Sequence, residues 1–117
     1  MRAVLVAAAS FICAACSATF PIAVVTTGVP GGIMRGEGHV SMSGGTFTVG
    51  DGTLSCGGTY DGMDMSPTIT VPVICNDGRK GLITATRNNA GTGGGGRFTL
   101  NDGMTGEFIF GPGARQL

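Results

Sequence analysis

The chain has 117 residues and a formal net charge of zero, with seven basic and seven acidic side chains, 12% charged residues, 23 glycines and 5 prolines. It is too short for two ordinary domains. Without a basic excess it lacks the electrostatic footprint of a nucleic-acid binder, so no nucleic-acid partner is expected. Glycine at this level approaches low-complexity composition, yet the absence of net charge argues against the charge-repelled kind of disorder.

Met1 and Arg2 form a short basic start, and residues 3–15 (AVLVAAASFICAA) are apolar. That run suits a secretory signal and falls short of the ~20 residues of a membrane-spanning helix. Small residues then lead to a cysteine, Ala14-Ala15-Cys16. A bacterial lipobox reads aliphatic, small, small, Cys; here Cys13 stands at the aliphatic position and Ile12 precedes it. Residues 1–15 therefore read as a lipoprotein signal peptide, with Cys16 receiving the lipid and the membrane as partner through that anchor. Two other readings stay open: ordinary cleavage after Ser17 or Ala18, giving a secreted protein, and retention of the segment as an anchor lengthened by residues 20–25, which Pro21 interrupts. Residues 16–32 then read as anchor and linker.

Residues 33–111 alternate apolar and polar at period two, as expected of antiparallel sheet with one buried face. A strand is expected around residues 33–43. Phe47 and Val49 share a face, as do Leu54, Cys56 and Tyr60; Ile69, Val71, Val73 and Cys75; Phe98 and Leu100; Phe108 and Phe110. Between them stand Asp51-Gly52, Asp77-Gly78 and Asp102-Gly103, spaced 26 and 25 residues apart. Asp-Gly between alternating runs signals a hairpin, read here as type I′. GTFTVGDGT (45–53) and GRFTLNDGM (96–104) share five of nine residues, a period that marks a repeated hairpin unit. The fold class expected is all-β: a small antiparallel meander of six or seven strands, barrel or sandwich. Linkers are expected at 26–32, 61–67 and 88–95, with a frayed tail at 112–117.

With Cys13 lost with the signal and Cys16 acylated, one cysteine pair remains. Cys56 and Cys75 lie on the apolar faces of consecutive strands and are expected to form a disulfide, with Tyr60 opposite Val71 in the same register.

Little else promises chemistry. GTGGGG (91–96) matches GxGxxG, but it joins two strands instead of opening a helix, so it reads as a hairpin loop. His39 is the one histidine and reads as a surface strand position. Asp61 and Asp64 offer two carboxylates to a Ca²⁺ without forming any known calcium loop, and read as turn residues. Arg79 and Lys80 are too few for an anionic-surface patch, and Met63 and Met65 offer an adaptable contact surface or loop packing. No catalytic or metal-binding residue is assigned, no cofactor is expected, and the protein reads as non-enzymatic.

The runs AACSATFPIAVV, SGGTFTVGDGTLSCGGTYD, SPTITVPVICNDGRKGLITATR and GRFTLNDGMTGEFIFG resemble a group of small lipoproteins or secreted proteins of the alphaproteobacterial envelope, over nearly the whole of residues 14–111. The resemblance implies an envelope location and carries no activity. The function expected is a structural or interaction role at the envelope, with an envelope protein or glycan as possible partner. The alternative is a small periplasmic binding or inhibitor module. Ser17, standing where an Asp would signal inner-membrane retention, favours the outer membrane.

Overall fold

Nearly every alternating run in the sequence is a strand in the computed structural model, which describes residues 17–88 and 93–117. Among the described residues there are eight: β1 (Ser17–Val25), β2 (Ile33–Ser41), β3 (Gly44–Gly50), β4 (Ser55–Tyr60), β5 (Thr68–Cys75), β6 (Lys80–Arg87), β7 (Gly94–Leu100) and β8 (Thr105–Phe110). Each pairs antiparallel with the next, and β8 returns to β1 over Ile22↔Phe110 to Val25↔Glu107, closing a barrel in chain order. The all-β meander is thus a closed barrel, with eight strands instead of six or seven.

The additional strand is β1, inside the segment read as anchor and linker. Its alternation is hidden because both of its faces are covered: Ile22 and Val24 point inward, yet Ala23 between them is also buried. The cover is a short 3-10 helix, Pro112–Gln116, packed on β1, so the tail is folded rather than frayed. Gly111, at φ 92°, reverses the chain and donates its N–H to the Pro21 carbonyl, and Ala114 is buried. The Arg35 guanidinium secures the end by donating to the carbonyls of Ala114 and Leu117. The loop read at 88–95 is also shorter, because Gly94 and Gly95 already pair in β7.

Inside the barrel, large and small residues face each other across the ladders. All six described aromatic side chains have a glycine as direct cross-strand partner: Phe20 with Gly38, Phe47 with Gly38 and Gly58, Tyr60 with Gly45, Phe98 with Gly106, Phe108 with Gly96, and Phe110 with Gly94. An eight-stranded barrel is only just wide enough for its side chains, so a ring on one strand needs a vacancy beside it. At Gly38 a Cβ would come within 2.3 Å of the Phe20 ring, and at Gly45 within 2.4 Å of Tyr60.

The Asp-Gly turns differ from type I′, which needs positive φ at both central residues. Only the glycines take it: Gly52 at 100°, Gly78 at 93° and Gly103 at 95°. After β5 and β7 the loop holds three residues, Asn-Asp-Gly, and two bonds close it. Gly78 N–H donates to the Cys75 carbonyl and Cys75 N–H to that of Arg79; Gly103, Leu100 and Met104 repeat the scheme. This is a type I turn followed by a left-handed glycine bulge, chosen because the preceding asparagine lengthens the loop. The turn after β3 is shorter: Asp51 N–H donates to the Leu54 carbonyl and Gly52 is the first loop residue.

The β4–β5 seam is the shortest in the barrel, with two pairs, Cys56↔Cys75 and Gly57↔Ile74. Cys56 and Cys75 form the expected disulfide there, on the inner face. The ladder ends before it would bring Tyr60 opposite Val71. Pro72 explains this: its carbonyl faces Gly58 on β4, and on that side proline has no N–H to donate.

Candidate functional site

A meander barrel presents its connections alternately at two ends. One end carries residues 26–32 and the three Asp-Gly turns; the other carries the connections at 42–43 and 61–67, the end of β6 and the start of β7, together with Ser17, the first described residue.

At the turn end the carboxylates hold their own backbone. Asp51 Oδ1 accepts from the N–H groups of Thr53 (2.9 Å) and Leu54 (2.8 Å), Asp77 Oδ1 from Arg79 (3.1 Å) and Asp102 Oδ1 from Met104 (3.0 Å). Arg79 joins two turns: Nε donates to Asp77 Oδ2 and Nη1 to Asp102 Oδ2, both at 2.8 Å. The backbone donors, with Arg79 second at Asp102, hold these carboxyls below their ordinary range. Arg79, raised above its usual value by both carboxylates, is therefore a clasp between hairpins and not half of a basic patch.

At the other end the interior is open. A cavity of about 420 Å³ enters the barrel there, walled by Phe20, Ile22, Phe47, Ile69, Val71, Ile83, Ala85, Phe108 and Phe110. The rings form a continuous band, with centroids 5.9 Å apart for Phe20–Phe110 and Phe108–Phe110 and 6.4 Å for Phe47–Phe108. Beyond it, towards the disulfide, the barrel is filled by buried Met34, Val49, Val73, Phe98 and Leu100. Two polar side chains stand at the rim. Arg87 continues the inward parity of Ile83 and Ala85, and its guanidinium donates to the carbonyls of Ser66 and, at 2.8 Å, Asp64. Both ion pairs among the described residues belong to Arg79; Arg87 hydrogen-bonds carbonyls, and the Asp64 carboxylate feels its charge from beyond ion-pair distance. Tyr60 is half-buried; burial pushes its phenol up and the Arg87 charge opposes that, so it stays protonated at neutral pH.

The connection at 61–67 is shaped by its own aspartates. Asp61 Oδ1 accepts from Met63 N–H and Asp64 Oδ1 from Ser66 N–H, each at 2.9 Å, and the latter bond holds Asp64 below the usual carboxylate range. Among the described residues no three His, Cys, Asp or Glu side chains gather into a metal-binding group. Met42, Met63 and Met65 are exposed around this end, Met65 by 84%. His39 points outward, its Nδ1 2.9 Å from the Thr19 hydroxyl, in a shallow depression with Ser17, Ser41, Thr46 and Thr59.

Cys16, the expected lipidation site, and residues 1–15 lie outside the described residues, as do residues 89–92 of the glycine loop; Gly94–Gly96 pair as strand, with no helix following. The sequence reading did not single out Arg87, although a cation on the inward parity of an apolar strand was a usable signal. Phe20 and Ile22 escaped notice as cavity residues because they fell in the segment read as linker.

Fold and site together define a small up-and-down β-barrel with an apolar mouth at one end. No family model, curated protein or solved structure matches the chain.

Proposed function

We propose that this is a non-enzymatic, lipid-anchored protein of a bacterial cell envelope, tethered through Cys16 and acting by interaction. The observation that carries the reading is that β1 begins at Ser17, at the mouth of the barrel, so an anchor on Cys16 holds the mouth end against the lipid. The exposed Met42, Met63 and Met65 ring that same end and give it an apolar, adaptable contact surface. A buried disulfide suits an oxidising compartment such as the periplasm. Among the described residues no helix is long and apolar enough to cross a membrane. The outer membrane is the preferred destination because Ser17, not Asp, follows the cysteine. A second reading, a small binding module, is favoured by the cavity and joins the first without conflict.

Growth with a clickable palmitate analogue tests the anchor. The protein takes up label and sediments with membranes, and Cys16→Ser loses the label and frees it. An unmodified mature N-terminus at Ala18 or Thr19 overturns the reading.

A further inference from the structure

We infer that the mouth is a binding site for one free medium-chain fatty acid, of about ten carbons, its alkyl chain in the barrel and its carboxylate at Arg87. This deepens the binding-module reading but is independent of whether Cys16 is acylated. The cavity, about 420 Å³, falls within the ~300–1,000 Å³ typical of small-molecule sites. Its shape follows from the fold: an eight-stranded barrel encloses at most one small ligand, elongated along the barrel axis. From Arg87 at the rim to Ile83 at the floor is four residues of β6, a depth of ~13 Å at the usual strand rise.

The lining selects the chemistry. Phe20, Phe47, Ile69, Ile83 and Phe108 present hydrocarbon with no polar partner, so the part of a ligand that lies among them must need none. Polarity is confined to the rim, where Arg87 makes no contact ion pair, the Asp64 carboxylate interacting with it only at a distance, and Tyr60 is a neutral phenol. A narrow apolar tube ending in a fork of guanidinium donors is complementary to an anionic, single-chain amphiphile. The β4–β5 ladder ends above the mouth, so Tyr60 and Ile69 flank the entrance without strand hydrogen bonds across it.

The test uses full-length Cys16→Ser protein, freed of lipid, titrated with decanoate as the probe in a calorimeter. Expected is saturable binding of one decanoate per chain, with decanol bound at least tenfold less tightly. Arg87→Gln should weaken decanoate about tenfold and leave decanol unchanged, whereas Arg87→Lys, which keeps the charge, should retain most of the affinity. Ile69→Trp, at a partly buried position on the cavity wall, should obstruct the tube and abolish binding while the far-ultraviolet circular dichroism stays that of the parent. Absence of saturable binding overturns the site, and so does binding that survives Ile69→Trp. Equal affinity for decanoate and decanol overturns the role of Arg87. If the acylated wild-type protein refuses the probe while Cys16→Ser accepts it, the occupant is the protein's own acyl chain and the free fatty acid is overturned.

Discussion

At the scale of single residues, the scarce charges serve mainly to fix the chain. Asp51, Asp64, Asp77 and Asp102 each accept a backbone N–H two residues ahead, which is the ordinary reason aspartate occupies turns. All four carboxyls lie below their usual range because the ionised form receives those bonds. The sign of the pH dependence follows. A carboxyl whose folded value is below its unfolded value of ~4 stabilises fully above that value, and the contribution disappears as pH falls through the folded one. Thermal melts should therefore be flat from neutral pH down to about pH 5 and fall steadily below about pH 4. Asp102→Asn keeps an acceptor for Met104 N–H but removes the charge facing Arg79, so it should lower the melting temperature at pH 7 and flatten the acid limb. These groups are exposed and solvent-screened, so the effect is modest.

Between strands, two devices decide the barrel. One is the pairing of every described aromatic with a glycine. Gly38→Ala places a methyl against Phe20, an overpacking that should cost ~1–3 kcal/mol in a denaturant melt. Phe20→Leu, which removes the ring, should recover part of that loss in the double variant, and strictly additive losses would show the pairing to be incidental. The other device is the disulfide, which fastens the seam with the fewest ladder pairs. With its ends separated by 19 in sequence, its loss in Cys56→Ser/Cys75→Ser should reduce stability by ~3 kcal/mol, measured as a shift in denaturant midpoint. Hydrogen exchange should show the excess opening in β4 and β5 first.

The same elements show what the sequence made legible. Strands β2 to β8 declare themselves because one face is wet, and alternation follows from that. β1 does not, because the helix Pro112–Gln116 dries its outer face and nothing local in residues 20–25 records a partner some ninety residues away. The cysteine pairing is legible since both residues lie on inward parity in adjacent strands. Turn type is not legible from Asp-Gly alone, because Asn76 and Asn101 join the loop and shift the left-handed position onto the glycine alone. The cavity is the least legible feature. It exists only once eight strands close and one ladder stops early, and both are long-range outcomes.

Taken whole, the molecule is polarised along its barrel axis. One end is stitched by Asp-Gly turns and the Arg79 clasp and filled with side chains; the other is open, apolar within and fringed by methionine. Such polarity suits a body that rests on a lipid surface by one end. Closing a sheet into a barrel ordinarily removes the strand edges that recruit other chains. Here the early end of the β4–β5 ladder leaves residues 68–73 of β5 without a ladder partner on that side. The proline that shortens the ladder is also the residue least able to extend it with a foreign strand. Pro72 thus serves as a gatekeeper: replaced by valine, it would restore a donor to a short β-branched run, ITVPVI, and the protein would be expected to form intermolecular sheet on storage where the parent stays monomeric.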